Sequence, residues 1–251
     1  MKSVLLLFAI TTAMVMCVSC DDAYEDAAKA DSRLVVEGWI DEGGFPVVML
    51  TRSLPVSSNY ESIDSLSDYV IRWARVAVSN GTDTVVLTGK YDNRYFPPFI
   101  YTTGNMRGTA GGRYELMVDY RDFKATATTT IPTSKPLPVF NVERIDGTDS
   151  LFAVNATIGK DGKQPHYYQI FTHCDRSSSN TTVARQFQAA YLGSIDDNVI
   201  SGKAVIPVYR GQQLGTLENY TPYFHEGERL TIKFAEVDQA SFRFWDSYTK
   251  N

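Results

Sequence analysis

Two neighbouring segments near the middle of the chain alternate apolar and polar residues with a period of two. They are residues 113–120 and 123–131. Successive side chains of a β-strand point to opposite faces of the sheet, so this period predicts two strands. Each strand is expected to place one face on a core and the other in solvent.

Turn signals predict two hairpins before these strands. Residues 33–40 and 46–51 are rich in β-forming residues and flank a turn at residues 41–44. Residues 75–79 and 84–88 flank Asn80 and Gly81, the dipeptide typical of a two-residue hairpin turn. The first half of the chain is therefore expected to be a β-sandwich over residues 33–131.

A proline-rich segment follows at residues 132–138, with three prolines in seven residues. Proline removes a backbone donor and favours an extended, stiff connection. We place a domain boundary there, with a C-terminal β domain over residues 139–251. Its strands are predicted at residues 139–145, 151–158, 167–173, 183–192, 203–208 and 229–235.

The end of the chain changes character. Asp238 is expected to cap a short helix, and Phe242, Trp245 and Tyr248 recur along one side of it as a packing face. Fifteen Tyr, thirteen Phe and three Trp favour strands elsewhere. The predicted fold class is all-β, with two tandem β-sandwich domains and a short C-terminal helix.

The first 19 residues predict a secretory signal peptide. Lys2 precedes an apolar run that is too short to span a bilayer, and small Ser19 stands before Cys20. Such a signal resembles that of bacterial lipoproteins. Members of that class are cut before the cysteine, whose thiol carries diacylglycerol and whose amino group carries a fatty acid such as palmitate. The alternative is an ordinary cleaved signal with a chance cysteine.

Acidic residues follow Cys20 directly. Asp21, Asp22, Glu25 and Asp26 resemble the export signal of lipoproteins that reach the outer face of the outer membrane in some Gram-negative bacteria. A solvated acidic linker is the alternative. Residues 20–32 lack apolar periodicity and are expected to tether the folded body to the membrane.

Charge and cysteine content exclude other classes. The formal net charge is −5 and the basic residues are scattered, so nucleic acid is not an expected partner. With Cys17 removed and Cys20 lipidated, only Cys174 remains, and no disulfide can form within the mature chain. The core alone must hold the fold.

The sequence offers no convincing reactive group. His166, His173 and His225 are few and dispersed, and adjacent residues in the run His173-Cys174-Asp175 should point to opposite faces of a strand. Cys174 is expected to be a small buried residue. The acidic pairs Asp196-Asp197 and Glu226 with Glu228 are expected in solvated turns. We therefore expect no metal site, no cofactor and no enzyme.

One aromatic segment, residues 91–101, is expected to form a loop that combines ring faces with hydrogen-bonding groups. This mixture is typical of interfaces and sugar sites. The alternative is that Phe96, Phe99 and Tyr101 pack beneath the segment as core between two sheets. The candidate interface residues are Tyr91, Asn93, Arg94, Tyr95, Phe96, Phe99 and Tyr101.

The residues also support a family resemblance. The stretches at residues 34–40, 46–53, 74–79, 112–116 and 130–132 resemble the domain of unknown function 4249 family. The first half is also similar to transthyretin-like and Ig-like sandwich modules. Relatives usually continue past the C-terminal helix, so the chain is expected to be short at that end.

The resemblance implies an outer-membrane lipoprotein, exposed at the cell surface, that is the accessory partner of a TonB-dependent receptor in nutrient uptake. Two alternatives remain open. One is a surface adhesin or pilus-type subunit, which would assemble by donating a strand to a neighbour. The other is a carbohydrate-binding module that uses residues 91–101.

Overall fold

A computed structural model describes residues 32–54, 67–133, 136–160, 162, 164–176, 187–211 and 220–250. The strands are β1 (Leu34–Trp39), β2 (Val47–Arg52), β3 (Arg75–Ser79), β4 (Thr84–Val86), β5 (Thr88–Tyr91), β6 (Phe99–Thr102), β7 (Arg113–Tyr120), β8 (Phe123–Thr130), β9 (Val139–Arg144), β10 (Leu151–Gly159), β11 (Tyr167–Arg176), β12 (Gln188–Asp196), β13 (Lys203–Val208), β14 (Phe224–His225) and β15 (Glu228–Val237). A 3-10 turn covers Asp197–Val199, and the C-terminal helix is α1 (Gln239–Lys250).

The strands form four antiparallel sheets. Two come from the first half of the chain, in the orders β1-β2-β6-β5 and β4-β3-β7-β8. Two come from the second half, β12-β11-β15 and β13-β10-β14, with β9 also paired to β10. The predicted all-β class, with two sheets in each half and a short C-terminal helix, is confirmed. The boundary at residues 132–138 stays a prediction.

The chain divides into two compact units. The minor unit includes the described residues of 1–36 and 50–71, and the main unit includes those of 37–49 and 72–251. Within the minor unit, the Ser53 N–H donates to the Arg33 carbonyl at 2.8 Å, and the Arg33 N–H donates to Ser53 Oγ at 2.8 Å. The Ile71 N–H donates to the Leu50 carbonyl at 2.9 Å. The features described below lie in the main unit.

The hairpin predicted at Asn80 and Gly81 joins β3 to β4. Its closing hydrogen bond runs from the Asn80 N–H to the Asp83 carbonyl at 3.1 Å. Asn80 Oδ1 also accepts the Asp83 N–H at 2.7 Å. Gly81 has a φ of 87°, in the left-handed region that glycine enters without steric cost. The turn thus lies where the dipeptide predicted it, although it spans residues 80–83, since Ser79 pairs with Thr84.

The strand predicted over residues 84–88 is divided between two sheets. Buried Leu87 separates β4 from β5 and donates its N–H to the Val76 carbonyl of β3 at 2.8 Å. β4 pairs with β3, whereas β5 pairs with β6 in the other sheet. One continuous segment therefore belongs to both sheets of the first half.

The two segments with period two form neighbouring strands of unequal burial. β7 and β8 pair along their whole length, and β7 buries Tyr114 and Val118 as the alternation predicted. β8 is an edge strand whose side chains are exposed or half-buried throughout, so its expected core face was wrong within the strand. Ile131, the last residue of the predicted segment, is buried. Its threonines combine β-propensity with a polar hydroxyl, which suits an edge exposed to water.

The core of the second half gathers side chains from both of its sheets. Ala156 of β10, Ile170 of β11, Ala190 of β12 and Val208 of β13 are almost completely buried there. Fully burying an Ile or Val side chain contributes roughly 1.5–3 kcal/mol. Cys174 packs against the same cluster but is half-buried, so its expected burial is only partial.

A bulge distorts β12. The pairing with β11 shifts between Gln169 and Phe171, so that one residue of β11 faces residues 190–193 of β12. Leu192 has a φ of 53°, and a non-glycine residue in this left-handed region costs about 1–2 kcal/mol. Tyr191 and Leu192 are 38% and 40% exposed. The predicted strand over residues 183–192 runs further than expected, to Asp196, while residues 183–186 lie outside the described residues.

Asp238 caps α1, as its sequence predicted. Its Oδ1 accepts the Ser241 N–H at 2.7 Å, and its Oδ2 accepts the Thr129 hydroxyl of β8 at 3.2 Å. A second contact joins the two halves of the chain, because Lys233 Nζ donates to both carboxylate oxygens of Asp41 at 2.8 and 2.6 Å.

The aromatic side of α1 packs on β11 over part of its length. Phe242 contacts Tyr167 with ring centroids 5.0 Å apart, and Trp245 meets the edge of Phe171 at 5.4 Å. Tyr248 is 64% exposed and contacts Trp245 of its own helix. The predicted packing face is therefore confirmed for Phe242 and Trp245 and is wrong for Tyr248.

Candidate functional site

The aromatic segment at residues 91–101 folds as the end of β5, a connecting loop and the start of β6. Tyr91 pairs with Phe99 across the two strands, and Gly89 pairs with Tyr101. The expectation of a loop was therefore wrong for Tyr91 and for residues 99–101, which pair as strand residues. We call residues 91–98 of this connection the hairpin loop.

Asp92 holds the hairpin loop together from inside. Its side chain is only 8% exposed and accepts hydrogen bonds from Arg94 Nε at 2.9 Å and Nη2 at 2.6 Å. Lys90 Nζ lies 3.6 Å from the same carboxylate. The hydrogen bonds and positive charge of Arg94 lower the pKa of Asp92 to about 2. Asp92 is therefore ionised at neutral pH, with its charge directed into the loop.

The inward side of the segment consists of packed aromatic rings. Tyr101 is 2% exposed, and its hydroxyl accepts the Ala74 N–H at 3.0 Å. Phe99 meets Tyr101 edge-on with centroids 5.5 Å apart, and Tyr95 lies 5.9 Å from Trp39. These rings lie beneath the loop. Tyr101 is buried, as the alternative of a core role required, whereas Phe99 and Phe96 are half-buried.

The outward side presents three of the seven candidate interface residues. Tyr91 is 72% exposed, the Arg94 side chain is 60% exposed, and Asn93 is exposed. Tyr95 and Phe96 are half-buried. The loop thus combines a fixed base with an aromatic ring, an amide and a guanidinium at its surface. An interface role for these residues stays a prediction.

Trp73 is a further exposed residue that sequence reasoning missed. It is 90% exposed, the highest value of any large apolar side chain in the described ranges. The next residue, Ala74, bonds to the Tyr101 hydroxyl beneath the hairpin loop. Exposed tryptophans recur among the residues that dominate binding at interfaces. The residues next to Trp73 in sequence show no strand pattern. This irregularity was the signal by which its exposure could have been predicted.

His166 lies beside two carboxylates at the start of β11. Its Nδ1 is 2.7 Å from Glu236 Oε1, and its backbone N–H donates to Asp197 Oδ1 at 2.8 Å. Asp197 is completely buried, so the expectation of a solvated turn was wrong for it. Within the described residues, Asp197 Oδ2 and Glu236 Oε2 have no hydrogen-bond partner.

The run at His173 distributes its side chains as expected of a strand. His173 Nε2 lies 3.1 Å from Asp175 Oδ1, whereas Cys174 packs against the core on the other face. Across the described part of the chain, no group of three or more His, Cys, Asp or Glu side chains could hold a metal ion.

Four tyrosines from three segments meet around Arg210, and we call them the tyrosine cluster. Ring centroids are 6.1 Å apart for Tyr191 and Tyr209, and 6.4 Å apart for Tyr209 and Tyr223. The Tyr220 hydroxyl donates to the Arg210 carbonyl at 2.6 Å. Burial raises the pKa of Tyr220 to about 12.

A buried ion pair supports the tyrosine cluster. Arg210 Nη2 pairs with Glu228 Oε2, and both Nε and Nη2 donate to the Tyr223 carbonyl at 3.2 Å. The two side chains are 18% and 4% exposed. Glu228 also accepts the His225 N–H at 2.8 Å, so its expected place in a solvated turn was wrong.

Sequence reasoning missed the tyrosine cluster. The close spacing of Tyr209, Tyr220 and Tyr223 was an available signal. Tyr191 joins them only through the bulge in β12, which no sequence pattern indicated.

Cys20, Asp21, Asp22, Glu25 and Asp26 lie outside the described residues, so lipidation and export stay predictions. In the ranges that the structure covers, no helix has the length and apolar character needed to cross a bilayer.

A family model described as "Domain of unknown function (DUF4249)" matches residues 22–251. No curated protein matches the chain.

Proposed function

This chain belongs to the DUF4249 family, and on that premise we propose that it is a non-catalytic lipoprotein of the outer membrane. The family match confirms the resemblance drawn from the sequence. In this proposal the protein is exposed at the cell surface and is the accessory partner of a TonB-dependent receptor in nutrient uptake. The family resemblance supports the receptor as partner.

The proposed attachment is a lipid on Cys20. The apolar run before Cys20 and the acidic residues after it support this attachment. One acyl chain gives only reversible membrane binding, whereas two or more anchor a protein stably. Cys20→Ala should release the protein from membranes without changing its fold. Fractionation by ultracentrifugation measures this, and continued membrane association of the variant would contradict the attachment.

The observation that carries the proposed binding role is the hairpin loop. Tyr91 and Arg94 are exposed on a connection whose base is fixed by the Asp92 carboxylate and by packed rings. A surface that is ordered before binding loses less conformational entropy when a partner docks. Tyrosine and arginine are also enriched among residues that dominate interface energies. Trp73 is a second exposed aromatic residue whose contribution to binding can be tested by substitution.

Co-purification tests the receptor partnership. The tagged full chain is isolated from native membranes in a mild detergent, and bound proteins are identified by mass spectrometry. We expect a TonB-dependent receptor with the wild type and at least about tenfold less with Tyr91→Ala or Trp73→Ala. Tyr248→Ala is the matched control, since Tyr248 is similarly exposed on α1. Recovery of the protein without any receptor, where known receptor complexes survive, would refute the partnership.

Carbohydrate binding at the hairpin loop is a second candidate, favoured by the exposed Tyr91 ring beside the polar side chains of Asn93 and Arg94. Glycan-array binding by the wild type that is lost in Tyr91→Ala would support it. Binding that survives this substitution would remove the loop from consideration.

A further inference from the structure

The tyrosine cluster brings together rings from three separate segments of the second half, with Tyr191 exposed and Tyr209 and Tyr223 half-buried. Tyr191 comes from the bulge in β12, Tyr209 follows β13, and Tyr223 precedes β14. The planes of Tyr191 and Tyr209 differ by 32°, and those of Tyr209 and Tyr223 by 76°. Aromatic faces arranged at different angles can contact the C–H face and the edge of a sugar ring together.

The charge at the cluster is balanced. Arg210 is the cation at its centre, but it is paired with Glu228 and donates to the Tyr223 carbonyl. An anionic ligand would therefore compete with a buried carboxylate for the same guanidinium. A neutral ligand meets no such competition.

The cluster also offers polar groups for orientation. Among the described residues, nothing hydrogen-bonds to the hydroxyls of Tyr191, Tyr209 or Tyr223. A phenol hydroxyl both donates and accepts hydrogen bonds, as sugar hydroxyls do. Ligand sites typically combine apolar walls with a small number of such polar groups.

The backbone beside Tyr191 gives an independent reason to place a ligand here. Leu192 adopts its left-handed conformation at an exposed position, where burial does not require it. Such strain occurs preferentially at binding and catalytic sites, and bulges re-aim side chains next to them. Gly193 fits this bend because a Cβ there would lie 2.9 Å from the Ala190 carbonyl oxygen.

We propose that the tyrosine cluster is a binding site for a neutral glycan, with Tyr191 and Tyr209 stacking on a sugar ring and the phenol hydroxyls contacting its hydroxyl groups. This site is separate in sequence from the hairpin loop. It does not depend on the proposed receptor partnership, and either can fail without the other.

The test uses the full chain in a detergent without a sugar headgroup. The probe is a microarray of neutral oligosaccharides, comprising glucans, mannans and galactans, together with uronic-acid and sulfated oligosaccharides. The strongest neutral oligosaccharide is then titrated by calorimetry. We expect neutral binding, with affinity reduced at least about tenfold in Tyr191→Ala and in Tyr209→Ala.

Tyr248→Ala is the matched control and should retain the wild-type affinity, since Tyr248 is an exposed tyrosine elsewhere in the fold. Circular dichroism monitors folding. If Tyr209→Ala does not fold, the exposed Tyr191 still decides the test through Tyr191→Ala. Tyr191→Phe should keep most of the affinity, because it retains the ring face. Absence of neutral binding, binding of acidic glycans alone, or full affinity in Tyr191→Ala would overturn the proposal.

Discussion

Arg94 donates from Nε and Nη2 to the two carboxylate oxygens of Asp92, two residues before it in the chain. The pair differs in exposure, since the Asp92 side chain is 8% exposed and the Arg94 side chain is 60% exposed. The same guanidinium therefore fixes the hairpin loop and forms part of its surface. Stability and recognition cannot be varied independently at Arg94, which is why Tyr91 is the better position for a binding test.

Asp92→Asn should make the protein less stable at neutral pH and less sensitive to acid. The folded pKa of Asp92 is lowered to about 2, below its ordinary value of 3.8, so the ionised form stabilises the fold above about pH 4. This contribution should disappear as the pH falls from about 4 to 2. Because Arg94 is largely exposed, we expect a loss of at most about 1 kcal/mol at pH 7.

Urea unfolding of the wild type and Asp92→Asn between pH 7 and pH 2 measures this difference. The difference in free energy of unfolding between the wild type and Asp92→Asn should be constant above about pH 5 and should decrease below pH 4. Asp122→Asn is the control, because Asp122 is exposed and forms no ion pair among the described residues. A gap that stays constant down to pH 2 would show that the carboxylate charge is not responsible.

Gly81→Ala should reduce the free energy of unfolding by about 1 kcal/mol, because alanine is strained at a φ of 87°. Gly104→Ala is the control, since Gly104 lacks a positive φ and a Cβ there would meet open space. It should change stability by less than about 0.5 kcal/mol. Thermal melts of both variants provide the measurement, and equal effects would contradict the assigned role of Gly81.

Asp238→Ala should destabilise the protein by about 1–2 kcal/mol, because it removes the cap of α1. It also removes the acceptor of the Thr129 hydroxyl. Thr129→Val isolates this second contact and should cost less than Asp238→Ala. Circular dichroism and urea unfolding follow the helix and the whole fold. A larger effect of Thr129→Val would place the main contribution of Asp238 outside the helix cap.

Glu228→Ala should reduce the free energy of unfolding by about 3 kcal/mol or more. The substitution removes the carboxylate that pairs with Arg210 and leaves the guanidinium without its counter-ion. The double variant Arg210→Met with Glu228→Leu should recover most of this loss, since apolar side chains of similar size can replace a buried pair. Denaturant unfolding compares the two. A double variant no more stable than Glu228→Ala would indicate that the pair determines the local structure beyond its charge.

Local patterns predicted local structure well. Asn80 and Gly81 predicted a turn because the Asn80 side chain and the backbone freedom of Gly81 stabilise it. Asp238 predicted the start of α1 because its carboxylate accepts a free N–H there. The alternation of β7 predicted the burial of Tyr114 and Val118 in the same way. Each of these signals lies within a few residues of the feature it predicts.

Features that depend on distant partners were not predictable. Asp197 and Glu228 were expected in solvent because the residues near them in sequence do not indicate His166 or Arg210 as their partners. Pairs such as Asp41 with Lys233 depend on how whole strands assemble. The composition of the aromatic segment predicted that some rings would pack and others would be exposed. It did not predict which residues would be buried.

The segment that passes from one sheet to the other at Leu87 also affects how the first half of the chain unfolds locally. β4 and β5 are consecutive in the chain but hydrogen-bond to different sheets, through β3 and β6. Detaching β4 from its neighbour therefore pulls on the buried Leu87 and on β5 beyond it. We expect the amide protons of β3 and β6 to exchange with solvent through one shared opening, so that these strands form a single cooperative unit.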